Sequence, residues 1–457
     1  MNLGKIVRRT SLVLAVLLLV SMVALWLKPP ELLRIGANYA AKIVCSNVFL
    51  AKRNAAEVLQ SDVQAPGIWI LHLVRVSVDP PKGEVRAGFL GFIGGGLAVY
   101  RPGAGCTVIA DGKLDHLAAL PPRPAPPSSP AGAPSDTALW PDGEAAAPTP
   151  ALQSVLADDA LTGPGMRAVV VIDHGRIVAE RYAPGFSPET PLLGWSMAKT
   201  VTATLVGLLI HDGKLTLDQS GFWPPGDGRD HIRIADLLDM SSGLRFNEDY
   251  GAVSDVTRML YLEPDTAGFA YAQPLVHPIG ESWSYSSGTA NIVARIVQNI
   301  AGVSTRVQDR LFMPLRMHSA VIEPDEHGTL VGSSYMYATA RDWARYAQFL
   351  LQNGVWQGQQ LLPAGYVDMM AAPLAASHGE YGHGFVWLWG SDPVIEGQNP
   401  DPAFGIPPDT FYLSGHDGQS IAVIRSRQIA VIRLGLTPYA DRYSPQRLIQ
   451  AVLEAKP

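Results

Sequence analysis

Charged residues are scarce in this chain, 17% of 457, and the small acidic excess, a net charge of -6, is spread without long runs of one sign. Without a basic stripe there is nothing to neutralise a row of phosphates, so nucleic acid is excluded as an expected partner. The 11 histidines, among them His174, His211, His231 and His383, show no His-Glu-x-x-His or comparable spacing, so the sequence implies no metal and no cofactor. There is no regular alternation of strands and helices, and the strongest serine lacks a Gly-x-Ser-x-Gly elbow, which excludes a doubly wound parallel sheet. No repeat of solenoid length is present. Cysteine is nearly absent too: Cys45 and Cys106 are the only two.

What is there begins with an uncharged apolar run from Ser11 to Leu27, preceded by Lys5, Arg8 and Arg9 and closed by Lys28, Pro29 and Pro30. Its length suits a short spanning helix, and no Ala-x-Ala site follows it, so the reading is an uncleaved anchor over 10–28, with a removed signal as the alternative. The positive-inside tendency then keeps residues 1–9 in the cytoplasm and puts everything after the helix on the outer, periplasmic side of an inner membrane. In an oxidising compartment Cys45 and Cys106 can pair; two separately buried thiols are the other reading.

Residues 29–120 read as a small accessory segment, with short apolar stretches punctuated by glycine and proline from Asn38 to His116. A Pro, Ala and Ser-rich stretch from Pro121 to Pro150 is expected to form neither ladder nor helix and to serve as a linker over 121–151. The rest, 152–457, reads as one domain. Met166 to Ile172 and Arg176 to Tyr182 predict a hairpin turning at Asp173, His174 and Gly175. Ser196 to Gly207 is helical in pattern, as is Thr339 to Asn353; Ile421 to Ser426 and Gln428 to Leu434 predict a second hairpin, and Pro445 to Ala455 a closing helix. Strands at both ends of the region with helices between them predict an α+β fold: an antiparallel sheet flanked by helices, with an inserted helical lobe.

Within Gly194-Trp195-Ser196-Met197-Ala198-Lys199-Thr200 lies a Ser-x-x-Lys. At helical spacing the two side chains share a face, and a lysine whose charged form is disfavoured by burial can take the serine proton. A serine at a helix start also has free backbone N–H groups beside it. Such a pair arises by chance about once in a chain of this size, the ordinary reading being an N-cap serine and a solvated lysine, so its company matters. Downstream, Trp283-Ser284-Tyr285-Ser286-Ser287 enters a helix; a phenol beside an ammonium can lose its proton more easily, so Tyr285 could relay the serine proton to the leaving group as general base and then general acid. Then Leu413-Ser414-Gly415-His416-Asp417-Gly418-Gln419 enters the second hairpin. Gly418 would let a substrate lie against the backbone, the N–H of Gln419 with that of Ser196 would form an oxyanion hole, and His416 would bind the substrate or polarise Tyr285.

Together these three elements resemble the penicillin-recognising serine hydrolases, in the branch of class C β-lactamases, D-alanyl-D-alanine carboxypeptidases, related esterases and the nylon-oligomer hydrolases. The resemblance runs from about Met166 to the C-terminus. It is supported by Gly213-Lys214-Leu215-Thr216-Leu217-Asp218, Ser241-Ser242-Gly243-Leu244, Met336-Tyr337-Ala338-Thr339-Ala340-Arg341-Asp342 and the Tyr381-Gly382-His383-Gly384-Phe385 run. It implies a β-lactamase-like fold, Ser196 as acylated nucleophile, Lys199 and Tyr285 as the proton-handling pair and His416 at the third motif. Two departures stand out: Ser287 where many relatives have Asn, and His416-Asp417-Gly418 where β-lactamases carry Lys-Thr-Gly. A neutral imidazole grips a carboxylate less well than an ammonium, so a small amide or ester substrate ranks above an antibiotic. D-alanyl-D-alanine carboxypeptidase or β-lactamase activity is the alternative, and a membrane-anchored binding protein that keeps the fold without turnover is the reading from another class.

Overall fold

The computed structural model describes residues 3–115, 117–120, 137–302, 306–390 and 398–455, with backbone alone for 3–8 and Ala440. His116 and most of the expected linker, 121–136, lie outside them. The chain forms two units. The first comprises Met1–Arg101, Cys106–Leu117 and Asp249–Pro264, the second Pro102–Gly105, Ala118–Glu248 and Asp265–Pro457.

The first unit opens with helix α1 (Leu3–Leu27). Its stretch Arg9–Leu27 has a mean hydropathy of 2.5 and none of it is buried, long and apolar enough to cross a membrane or to act as a signal sequence. Pro29 and Pro30 break the helix, because proline cannot donate to the preceding turn and restricts the residue before it. Helix α2 (Glu31–Phe49) then lies on a four-stranded antiparallel meander of β1 (Val74–Asp79), β2 (Glu84–Phe89), β3 (Ile93–Arg101) and β4 (Gly105–Val108). The sequence reading missed α2, whose glycine, asparagine and serine content blurs its apolar stripe. Close packing explains Gly96: a Cβ there would overlap the carbonyl of Ala37 on α2. Buried Asn38 ties the layers, its side chain donating to Tyr261 O (2.7 Å) and accepting from Leu97 N (3.1 Å). A disulfide joins Cys45 on α2 to Cys106 on β4, with a Cα–Cα distance of 6.1 Å.

The second unit is built on a five-stranded antiparallel sheet in the order β7-β8-β9-β5-β6: β5 (Met166–Asp173), β6 (Arg176–Tyr182), β7 (Thr410–Gly415), β8 (Gln419–Ile424) and β9 (Ile429–Gly435). The β5–β6 turn has φ 44° at His174 and 76° at Gly175, the doubly left-handed turn that matches strand twist. On one face, helices α3 (Pro150–Ala157) and α7 (Pro445–Glu454) bury Leu152, Leu156, Leu448, Ile449 and Val452 against Val169, Val171, Ala422 and Val431. On the other face sits α6 (Ala340–Leu351), packed on β5 and β9. A sheet covered on both faces explains why its strands read as nearly continuous apolar runs. Between β6 and β7 the chain inserts helices, among them α4 (Met197–His211) and α5 (Ser287–Ala301), which pack on one another.

The end of the Pro-rich stretch departs from expectation. Ala147 and Thr149 donate their N–H groups to Ile177 O and Val178 O on β6. Neither is proline, so both keep the donor that a ladder needs. Trp140 of the same stretch is fully buried, and its carbonyl accepts from Arg176 at 2.8 Å.

Candidate active site

Helix α4 is buried from Met197 to Leu209 on every side, as a helix at the centre of a large core must be. Its three threonines turn inward because each finds an acceptor: Thr200 bonds Phe385 O (2.7 Å), Thr202 bonds Gly332 O (2.9 Å) and Thr204 bonds Thr200 O (3.0 Å). The entry to this helix is a tight turn. Trp195 adopts φ 48°, Gly194 N donates to Met336 O (2.8 Å), and Met197 N and Ala198 N donate back to Gly194 O and Trp195 O. Left-handed backbone at a bulky residue is strained; here it brings Ser196 to the first turn of α4. The N–H of Ser196 finds no acceptor among the described residues, as expected of an orphan donor at a helix start.

One turn along, Lys199 is 1% exposed. Its Nζ lies 2.9 Å from Ser196 Oγ, 3.0 Å from Ser287 Oγ and 3.1 Å from the carbonyl of Ser333. Burial lowers its pKa from 10.5 to about 8, opposed by the charge of Glu248, because removing an ammonium from water favours the neutral amine. Ser287, the first residue of α5, is fully buried. It accepts from Lys199 while its Oγ donates to Glu248 Oε1 (2.5 Å) and its N–H to Glu248 Oε2 (2.8 Å). Glu248 is the group that sequence reasoning missed. It lies in a loop far from the other motifs, and only the fold brings it to Ser287.

Tyr285 precedes the N-cap of α5, Ser286. Its side chain is near enough to that of Ser196 to interact with it, and Lys199 Nζ stands 4.7 Å from the centre of its ring. The expected loss of the phenolic proton is not what the surroundings favour. Burial, with the neighbouring Tyr381 and the charge of Glu248, raises the Tyr285 pKa well above its usual value, so the residue is a neutral donor. Around it Trp387 lies 5.3 Å and Tyr381 6.0 Å away between ring centres. Tyr381 Oη and Trp283 Nε1 are buried with no hydrogen-bond partner among the described residues.

The third motif requires two corrections. Tyr412 on β7 exchanges both backbone bonds with Trp387 on the outer side of the sheet (2.7 and 2.9 Å). Alternation along the strand therefore turns Ser414 outward and pairs Gly415 with Gln419 on β8. The N–H of Gln419 is thus in the ladder and not aimed at Ser196, and its carboxamide ties the hairpin through Gly435 (2.5 and 2.9 Å). Gly418 likewise faces inward: at φ 77° it gives its carbonyl to Arg433 Nη1 at 2.9 Å. The glycine that permits close approach is Gly415, where a Cβ would overlap the carbonyl of Gly194. His416 is half-exposed beside Trp195, ring centres 5.5 Å apart, and its Nε2 is 3.4 Å from Asp417 Oδ1. No cluster of three or more metal-ligating side chains occurs among the described residues.

Comparison with known proteins places this geometry among relatives. Residues 157–454 match the beta-lactamase family. Over 223 residues the chain is 27% identical to the 6-aminohexanoate-dimer hydrolase of Paenarthrobacter ureafaciens, covering 45% of this chain and 57% of that relative's length. Among solved structures it is similar in fold to a candidate 6-aminohexanoate-dimer hydrolase from Bacillus anthracis (TM-score 0.52, 19% identity, 65% of this chain and 79% of that one). It is also similar to a penicillin-binding protein homolog from Caulobacter crescentus (TM-score 0.50, 17% identity, 67% and 96%). With the family match extending over most of its length, the chain belongs to the beta-lactamase family of serine hydrolases.

Proposed function

We propose that the chain is a membrane-anchored serine hydrolase that cleaves amide or ester bonds of small substrates through an acyl-enzyme on Ser196. One observation carries the reading: Lys199 Nζ, with its pKa brought down to about 8 by burial, stands 2.9 Å from Ser196 Oγ. In the proposed reaction the neutral amine takes the proton of Ser196 as Oγ bonds to the substrate carbonyl carbon. Negative charge on the former carbonyl oxygen is met by the N–H of Ser196 and by an outward-facing N–H at the end of β7, in place of Gln419. As the bond to the amine or alcohol breaks, the neutral phenol of Tyr285 protonates the leaving atom and recovers a proton from the Lys199 ammonium. Water then repeats the sequence on the acyl group, restoring Ser196.

The substrate reading rests on chemistry at the rim. The third motif carries His416 in place of an ammonium, which disfavours a carboxylate grip, and the cluster of aromatic rings packed around Tyr285, from Trp283, Tyr381 and Trp387, would suit an uncharged chain. Similarity to a 6-aminohexanoate-dimer hydrolase points the same way. A non-catalytic binding protein would be favoured by Lys199 turned away from Ser196, and the 2.9 Å contact gives that reading no support. A fluorophosphonate probe should add its mass at Ser196. Hydrolysis should follow across nitrophenyl esters and linear or cyclic 6-aminohexanoate amides and vanish in Ser196→Ala. Folded protein that neither labels nor turns over any of these would overturn the proposal, and turnover confined to nitrocefin or D-alanyl peptides would replace the substrate class.

The anchor is part of the same proposal. Helix α1 would span the bilayer with Lys5, Arg8 and Arg9 in the cytoplasm, and the rest of the chain would stand on the periplasmic side.

A further inference from the structure

Beyond α1, large exposed apolar side chains gather in the first unit: Leu32, Ile68, Trp69, Leu73, Leu90 and Phe92, with Trp69 75% exposed. They come from three segments that meet. Leu90 N donates to Leu73 O at 2.8 Å, joining the β2–β3 turn to the segment that carries Ile68 and Trp69. At Gly36, one turn after Leu32, a Cβ would lie 3.0 Å from the ring of Phe89 and 3.1 Å from Leu71, so α2 begins against the same two segments. The patch is therefore continuous at one end of the unit.

Its turn is chemically unusual. Hairpin tips in water ordinarily carry Gly, Asn, Asp or Ser, whereas this one is Leu90-Gly91-Phe92, with Leu90 held at φ 53°. The three segments are also nearly free of acid: 67–76 and 86–97 contain no Asp or Glu, and Glu31 is paired with Arg258 at 2.9 Å. In sequence, Lys28 comes four residues before Leu32 and Arg75 two residues after Leu73.

Position supplies the occupant. Helix α1 touches β3, and Leu25 is its one partly buried residue among those whose side chains are described. Leu32 follows Leu27 by only five residues, about 17 Å of fully extended chain, so the patch starts within reach of wherever the spanning helix leaves the hydrocarbon. The headgroup layer there favours tryptophan, aliphatic side chains and basic residues, and disfavours acidic ones. We propose that this patch docks on the lipid surface, with Leu90, Phe92 and Trp69 inserted at the headgroup–acyl boundary around the exit of α1. The proposal rests on the reading of α1 as a spanning helix.

The test uses the full chain in nanodiscs of phosphatidylethanolamine and phosphatidylglycerol, with one nitroxide at a time on Phe92→Cys, Leu18→Cys or Lys82→Cys. Cys45 and Cys106, paired and buried, do not compete for label. Accessibility to oxygen, which concentrates in lipid, is compared with accessibility to a water-soluble nickel chelate. The ratio at 92 should follow that at 18 and exceed the ratio at 82, at the far end of the β1–β2 hairpin, several-fold. A ratio at 92 equal to that at 82, with 18 still in lipid, overturns the docking while leaving the anchor intact. An aqueous reading at 18 removes the anchor, and the docking with it. Spin–spin broadening at 92 that fades when labelled chains are diluted with unlabelled ones would assign the patch to a second copy and also overturn the proposal. Trp69→Cys gives the same comparison independently of how Phe92→Cys folds.

Discussion

Lys199 spends its three donors on Ser196, Ser287 and the Ser333 carbonyl, and to act as a base it must give one of those protons up. With its pKa near 8, the amine becomes available as the solution passes that value, so kcat/KM should rise with pH and level off above about 8. The sign for stability follows from the same shift. The folded protein holds this proton less tightly than the unfolded chain, so burying Lys199 costs stability below pH 8. That cost, about 3 kcal/mol at 1.36 kcal/mol per unit, is relieved as pH rises from about 8 towards 10.5, and denaturant midpoints of wild type and Lys199→Met across that range should converge accordingly. Lys199→Met should lower kcat/KM about 10³-fold, and Lys199→Arg should not rescue it, because a guanidinium does not deprotonate. An arginine variant with more than a tenth of native activity would show that the residue acts by charge alone.

At this scale much was legible. Ser196 and Lys199 stand out because helical spacing is a local rule, and Tyr285 because it directly precedes a recognisable helix start. Glu248 was not, since nothing local marks a glutamate that reaches Ser287 across 39 positions. Tyr285 stands out by its place before a helix start, but adjacency to a cation is what sequence suggests, whereas the surroundings that raise its pKa come from the packing around it, Tyr381 and Glu248, which sequence does not show.

Among elements, the third motif is where pattern and structure part. A hairpin turn is visible in His416-Asp417-Gly418, yet its register is not, and shifting it by one residue exchanges the face that meets Ser196. Edge strand β7 was hidden inside an apolar and glycine-containing run, so Gln419 and Gly418 were credited with the role that we propose for the outward edge of β7. Gly415→Ala tests this assignment. A methyl group there meets the carbonyl of Gly194, so the variant should lose about 1–3 kcal/mol together with most of its kcat/KM, while Gly418→Ala should leave kcat/KM within a few-fold among molecules that fold. The reverse pattern would return the site to Gly418. In the first unit, the disulfide closes a loop across 61 positions. Reduction should destabilise that unit by about 4 kcal/mol on loop entropy, read as an earlier denaturant transition with reductant; coincident curves would mean that the packing of α2 on β3 suffices.

For the molecule as a whole, the sequence conveys a chain in consecutive pieces, and the structure does not respect that order. Asp249–Pro264 belongs to the first unit although it lies in the middle of the region that reads as hydrolase. Linear composition cannot reveal such a return, because both flanks have the character of one domain. What composition does reveal is the N-terminal apolar run, and the expectation is direct: the full chain should sediment with membranes, resist alkaline carbonate and dissolve in detergent. Recovery in the soluble fraction at full length would remove the anchor.

Helix α1 has one more consequence. If Arg9–Leu27 spans a bilayer as proposed, the hydrolase would not be diluted by the fluid around it: its density would be set per area of membrane, and its copies would diffuse in two dimensions while substrates arrive in three. Turnover by a cell would then scale with surface and not with volume, and a thin compartment beside that surface would keep every substrate molecule within a short diffusion path of an enzyme that never washes away.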